Sequence, residues 1–386
     1  MSAILNPILT DRTHSSYKIT IPLKPELEKA NPPQRITEGR KAEHVDLVVR
    51  ERVAYRKKRT GFDDLDFAHN ALPELSFDEI SISIPLLGFQ LGAPLIISSM
   101  TGGYAGAYEI NRALGSAAAK YGLAIGVGSG RQAMESTEHH RTFSIVREAA
   151  PETFVFANIG GVEVARLNSL GKIGELQRLV DLTESNALAI HLNPLQELLQ
   201  PEGSRDFRGV LAGIESSAKQ LGVPIIVKEV GAGISQSVAR KLLSVGVRAI
   251  DVAGAGGTSW AGVEILRNNP QSREHLEPFW DWGIPASEAL VQVNELRNEF
   301  EFDLISSGGI RTGVDIAKSI ALGANAVGVA RPFIQAFIEH GEEALFAAVE
   351  TFLFQLRAAM FLTGSFDMRS LSHQKLHPKH TNFDLS

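Results

Sequence analysis

The sequence predicts a (β/α)8 barrel with an N-terminal extension and a long loop after its sixth strand. Three observations lead there: eight short apolar segments recur along the 386 residues, most are followed by a stretch that can form a helix, and each ends in a small or polar tail. The segments are PLIISSMTGG (94–103), AIGVGSGR (124–131), FVFANIGG (154–161), ALAIHLNP (187–194), PIIVKEVG (224–231), AIDVAGAGG (249–257), LISSGGIR (304–311) and AVGVARPF (326–333). Their cores are rich in Ile, Val and Ala, as in strands buried on both faces of a parallel sheet. Eight strand–helix units close into a barrel whose strand C-termini hold the active site. The tails SMTGG, SGR, NIG, HLNPLQE, KE, GAGGT, GGIR and ARP are therefore expected to face one pocket.

In chain order, residues 1–38 hold Pro22, Pro25, Pro32 and Pro33 among polar residues and read as an extended arm. Residues 39–92 form an N-terminal segment. Within it, 39–58 reads as a short helix running into a basic patch, ISISIP (80–85) alternates like an edge strand, and LLGFQLGAP makes a turn. The barrel is expected over 93–363, with 341–363 as an amphipathic closing helix. All three tryptophans, Trp260, Trp280 and Trp282, fall between the sixth and seventh segments. A long loop on that face is usually functional, often a lid. Residues 364–386, rich in His, Ser and Lys, read as a loose tail.

Composition narrows the function. The 44% hydrophobic content supports a sizeable core, and a formal net charge of −6 argues against nucleic-acid binding by bulk charge. With no cysteine there is no disulfide, no Cys-ligated zinc, no iron–sulfur cluster and no Cys nucleophile. No basic region followed by an apolar run opens the chain, and no apolar run approaches the ~18 residues of a membrane span. A cytoplasmic, soluble protein is expected.

The strand-end tails carry the chemistry. GGIRTG (308–313) and GVARPF (328–333) place glycines and helix starts after strands seven and eight, where this fold commonly grips a phosphate with free backbone N–H groups. The plainer alternative is a pair of tight turns. Lys228, at the end of the fifth strand, is a cation in an apolar strand and needs a partner. It suits the electron-rich edge of a reduced flavin, a Schiff base, or an ion pair with Glu229 or a neighbouring strand. Because adjacent residues face opposite ways, Lys228 and Glu229 cannot both point into the mouth. Thr258, SMTGG and Asn158 add small residues and hydrogen-bonding groups that suit a flat ring. In HLNPLQE, His191 and Asn193 share a face, and Gln196 and Glu197 project from the turn. Glu197 either holds a hard cation such as Mg2+ beside phosphate oxygens or is a helix N-terminal charge. Arg40, Lys41 and His44 lie on one helical side, either as a solvated face or as a diphosphate clamp; Arg131 follows strand two.

RKAEHVD (40–46), SSMTGG (98–103), GVGSGR (126–131), ANIGG (157–161), HLNPLQE (191–197), VKEVG (227–231), DVAGAGGTSW (251–260) and SGGIRTG (307–313) together resemble the type 2 isopentenyl diphosphate isomerases. Order and register hold from about residue 36 to 340. GGIRTG alone is shared with other FMN barrels; RKxEH with HLNPLQE and AGAGGTSW is far more specific. The resemblance implies FMN-dependent interconversion of isopentenyl and dimethylallyl diphosphate, with Mg2+, flavin reduction by NADPH or NADH, and a tetramer or octamer. It implies that Ser99, Met100, Thr101, Ser129, Asn158, Lys228 and Thr258 contact FMN, with Gly308, Gly309, Arg311, Ala330 and Arg331 at its phosphate. Arg40, Lys41, His44 and Arg131, with Ser129 and Gln196, would bind the substrate. Glu197 would hold Mg2+, and His191, Gln196 and Glu264 would lie near the reacting carbons.

Two other readings share the barrel. An FMN-dependent 2-hydroxyacid oxidase would need a His base and an Arg pair for a carboxylate, and strand six here ends in GAGGTSW with no His–x–x–Arg. A non-catalytic flavin-binding barrel would not need polar sets at most strand ends.

Overall fold

The computed structural model describes residues 32–50 and 53–379. Eight parallel strands close into a barrel in sequence order: β1 Leu95–Ile97, β2 Ala124–Gly126, β3 Val155–Gly160, β4 Ala187–Leu192, β5 Ile225–Glu229, β6 Ala249–Asp251, β7 Asp303–Ser307 and β8 Ala326–Val329. Seven fall within a predicted segment, and β7 begins one residue before its own. Apart from Gly160, His191, Leu192 and Asp303 at strand ends, their residues are buried on both faces, which is why the sequence runs apolar rather than alternating. Register sets the site: Gly160 lies beside His191, His191 beside Lys228, and Lys228 beside Asp251, so the ends of β3 to β6 present one polar row.

The extensions close both ends of the barrel. Ile80, Ile82, Ile84 and Leu86 are buried and alternate with exposed Ser81, Ser83 and Pro85. Only Ile84–Leu86 is paired, with Phe89–Leu91, so the strand is shorter than the alternation suggested. Leu87 N donates to Asp303 Oδ2 at 2.7 Å, which puts this hairpin under the N-terminal end of β7, away from the site.

Helix α1, Pro32–Arg50, corrects two expectations. It begins inside the segment read as an extended arm, because Pro is well placed in a first helical turn, where its missing N–H costs nothing. It also ends before the basic patch. Residues 53–60 instead run as irregular chain against the sixth βα connection, where Ser259 N donates to Val53 O and Tyr55 N to Gly257 O. The rest of the arm, 1–31, lies outside the described residues.

The long connection after β6 is helical rather than open. It holds α3, Trp260–Arg267, and the helices Pro270–Leu276 and Ala286–Asn294; α2 is Pro194–Leu199, after β4. Trp280 is buried in a satellite core with Leu199, Ala261 and Ile265, and its Nε1 donates to Ala54 O at 3.0 Å. A single Trp therefore pins this connection to both α2 and the N-terminal segment.

The tail is also ordered through Lys379. Asp367 caps Met368–Ser372, and Leu376–Pro378 pairs antiparallel with Leu65–Phe67. Residues 380–386 lie outside the described residues. Among the described residues one helix, Glu342–Thr363, is long and apolar enough to cross a membrane. Its stripe of Leu345, Val349, Phe352, Leu356 and Met360 is buried against the helices Gly313–Ala321 and Arg331–His340. Its Gln355 Oε1 also accepts from Gly313 N at 2.8 Å, as expected of a closing helix of the barrel.

Candidate active site

A cavity of about 750 Å3 opens at the C-terminal ends of the strands. Of the residues singled out from the sequence, all but Glu264 line it. Glu264 is buried directly behind the wall.

Lys228 and Glu229 divide as alternation requires. Lys228 lines the cavity, and its Nζ donates to the Glu229 carbonyl oxygen at 2.6 Å. The Glu229 carboxylate turns away and accepts from the N–H groups of Val230, Gly231, Ala232 and Gly233 at 2.7, 2.6, 2.5 and 3.2 Å. Burial pushes this carboxyl up, and the N–H groups of Ala232, Gly231 and Val230, with the charge of Lys228, only partly oppose it. Beside Lys228 on β6 lies Asp251, also buried, which accepts from Ser307 Oγ at 2.5 Å. Burial raises its carboxyl too, against the pull of Lys228. The sequence offered Asp251 only as part of a motif; its place beside Lys228 comes from barrel register.

His191 is held by its neighbour on β3: its Nδ1 pairs with Asn158 Oδ1 at 2.9 Å. Burial, then the charges of Lys228, Arg40 and Lys41, push its imidazole down to about 3. It is therefore neutral at physiological pH and is no reservoir for a proton there.

The polar wall continues outward. Asn193 Nδ2 donates to Gln196 Oε1 at 3.1 Å, and Gln196 Nε2 donates to Glu264 Oε1 at 2.9 Å. His44 Nε2 is 2.9 Å from the same oxygen, and Arg267 ion-pairs with the other at 2.6 Å. Burial raises the Glu264 carboxyl, but His44, Arg267 and Gln196 outweigh it and leave it below the usual carboxylate range. Arg267 is a residue the sequence reading missed. Its spacing three residues after Glu264 was the available signal.

Glu197 sits in the first turn of α2, and its Oε2 accepts from Ser204 N at 2.7 Å. Both earlier readings of it remain compatible with this position. Among the described residues, no group of three or more His, Asp or Glu is arranged to hold a metal. A cation here would take one carboxylate and complete its shell with water and substrate oxygens, which suits Mg2+.

The strand 7 turn meets the sixth tail backbone to backbone. Gly308 and Gly309 have φ of +97° and +79°, a region that favours glycine. A Cβ on Gly257 would stand 2.4 Å from Gly309 N. Thr312 and Asp315 form a capping box that opens the helix Gly313–Ala321 and fixes the end of this turn. Arg311, Ala330 and Arg331 line the same region. Burial and the charge of Arg311 both lower Arg331, so its guanidinium stands beside a like charge in a place suited to an anion. Ser99 Oγ is buried at the cavity with no hydrogen-bond partner among the described residues. Glycine turns, paired arginines, an unpaired hydroxyl and a buried lysine fit a phosphate-bearing ring such as FMN.

A second cationic set belongs to α1. Arg40 is lowered by burial and by Arg131, with Glu202 opposing. Lys41 Nζ donates to Gly102 O at 2.6 Å and Ser129 O at 2.8 Å, which ties the first and second tails together. Ala42, Val45 and Val49 are buried. Helix α1 thus packs on its own barrel with Arg40, Lys41 and His44 at the mouth, rather than as a freely solvated helix.

Comparison with known proteins agrees. Residues 204–378 match the FMN-dependent dehydrogenase family. The isopentenyl-diphosphate delta-isomerase of Chlorobium limicola is 46% identical over 355 residues, covering 89% of this chain and 97% of that protein. The one from Methanosarcina barkeri is 43% identical over 339 residues, covering 87% and 90%. A mandelate oxidase variant solved with (S)-mandelic acid shares the fold, with a TM-score of 0.61 at 15% identity over 88% of this chain and 94% of that one. That likeness shows the barrel alone. With relatives of this identity and coverage, the chain belongs to the isopentenyl-diphosphate delta-isomerase family, in its FMN-dependent form.

Proposed function

We propose that this chain interconverts isopentenyl and dimethylallyl diphosphate with bound FMN. The observation that carries the reading is one cavity lined by two separate cationic sets. Arg40 has Arg131, Glu202, Glu197 and Arg267 as its charged neighbours, whereas Arg331 has Arg311 and Glu339. One set suits the flavin phosphate and the other a substrate diphosphate. Homology to named isomerases supports this assignment over an oxidase.

Moving a double bond needs a proton added at one carbon and removed at another, in a site shielded from water. FMN, when bound and reduced, would supply a proton-exchanging N5 for that chemistry. Lys228 places its own positive charge on the cavity floor, where it would stabilise negative charge on the edge of a bound ring. Neutral His191 and the Gln196 amide position rather than ionise. Glu264 stays ionised under His44 and Arg267, so it accepts hydrogen bonds or a proton more readily than it donates one. The diphosphate, held by Arg40 and Arg131, contributes binding energy remote from the reacting carbons. NADPH as the reductant, Mg2+ at Glu197, a homo-oligomer of four or eight chains and a cytoplasmic setting complete the proposal. The test is a flavin absorbance spectrum of the reconstituted protein, followed by anaerobic assay of isopentenyl diphosphate against lactate. Turnover of lactate alone would favour the oxidase.

Two substitutions probe the substrate side. Charged hydrogen bonds to phosphate contribute about 1.5–3 kcal/mol each, so Arg40→Ala should raise KM roughly tenfold or more with FMN affinity nearly unchanged. Because the diphosphate is bound in ground and transition states alike, kcat should fall less than KM rises. Steady-state kinetics beside an FMN titration check this; a variant that keeps its KM but sheds FMN contradicts it. Glu197→Gln should weaken Mg2+ dependence and activity with FMN still bound. A metal titration identical to that of the parent would return Glu197 to a helix-terminal role.

A further inference from the structure

We propose that Arg267 is a positioning residue of this site: through three carboxylates it orients Glu264 against the reacting end and ties helix α1 to the barrel mouth. The inference rests on the isomerase reading above. Arg267 ends helix α3, and its side chain is 9% exposed. Each of its three nitrogens meets a different carboxylate: Nε to Glu43 at 2.9 Å, Nη1 to Glu264 at 2.6 Å and Nη2 to Glu202 at 3.0 Å. These acids come from α1, from α3 and from the chain after α2. A planar guanidinium with a rigid fork of donors can join three such elements at once; a single ammonium cannot hold the same geometry.

Each contact leads to a residue at the mouth. Arg267 takes Glu264 Oε2, which leaves Oε1 to receive Gln196 Nε2 at 2.9 Å and to stand 2.9 Å from His44 Nε2. With Glu264 so held, Gln196 keeps its NH2 toward Glu264 and its carbonyl toward Asn193. Through Glu43, Arg267 fastens the helix that carries Arg40, Lys41 and His44. Through Glu202 it reaches an acid that also stands 3.9 Å from Arg40. Arg267 itself does not line the cavity, so it touches no substrate. An isolated Arg so largely buried would be costly, and this three-way join offsets that cost.

The experiment compares Arg267→Met, Arg267→Lys and Glu43→Gln in the full-length, FMN-reconstituted protein, reading kcat, KM, the flavin spectrum and Tm. Parent activity is measured first; a parent that does not isomerise overturns the isomerase reading and is recognised before any variant is compared. With an active parent, Arg267→Met should raise KM and lower kcat, each by roughly tenfold or more, with the flavin spectrum intact, as small misplacements of a site commonly do. Glu43→Gln removes the charge from the tie to α1 alone and should raise KM with little change in kcat. Arg267→Lys can still meet Glu264 and should recover part of kcat but not KM. A lowered Tm with parental kcat and KM would make Arg267 merely structural and overturn the proposal. If Arg267→Met does not fold, the split between Glu43→Gln and Arg267→Lys decides: parental KM in both overturns it.

Discussion

Lys228→Met should lower kcat by roughly 100-fold or more, the scale seen when a preorganised electrostatic donor is removed from a water-excluded site. Three features make this large. Lys228 is a buried cation on the cavity floor, and among the described residues its one hydrogen bond is to the Glu229 carbonyl. Its charge therefore faces the cavity and whatever ring lies there. The same charge also acts on buried Asp251 beside it on β6, whose carboxyl loses a stabilising cation in the variant. Met fills nearly the same volume, so the strand should survive. Kinetics at saturating FMN separate the loss of charge from loss of cofactor; parental turnover under those conditions would remove Lys228 from the chemistry.

Gly257→Ala should release FMN, with affinity falling roughly 100-fold or more, because a loop that must move to accommodate overpacking no longer presents its N–H groups. The added Cβ would stand 2.4 Å from Gly309 N and 2.6 Å from Gly309 Cα. Both are backbone atoms and no rotamer change relieves them. A Cβ on Gly309 itself would meet Thr60 Cγ2 at 2.4 Å and Gly257 N at 2.8 Å, so the two glycine turns and Thr60 already pack without spare room. Gly222→Ala, where nothing lies within 4 Å of the new Cβ, serves as the control and should keep its FMN. A Gly257→Ala protein that holds FMN as tightly as the control would show that this close approach does not shape the phosphate site.

The eight barrel strands were legible because burial on both faces leaves a continuous apolar signature, and each ends in the tail that reaches the cavity. The pairing of Leu376–Pro378 was not, since its partner Leu65–Phe67 lies near the other end of the chain and nothing local marks it. Likewise the tryptophans drew attention to the sixth connection, but only packing shows that Trp280 binds it to Leu199 and Ala54. At the site, residue types at strand ends could be read directly. What escaped was the layer behind them. Asp251 meets Lys228 through register, and Arg267 gathers Glu43 and Glu202 from elements far apart in sequence. The start of α1 at Pro32 is hidden because prolines among polar residues mark extended chain as readily as a first helical turn, where proline is compatible with helix.

The central claim is that a reduced flavin in this cavity supports a redox-neutral movement of a proton. It is tested most directly by incubating isopentenyl diphosphate in D2O, without oxygen, with the FMN-loaded protein either photoreduced or left oxidised and with no nicotinamide present. The account predicts dimethylallyl diphosphate carrying deuterium, formed over many turnovers with no consumption of reductant, in the reduced sample alone. Equal activity with oxidised FMN, or no isomerisation in the reduced sample, would contradict it.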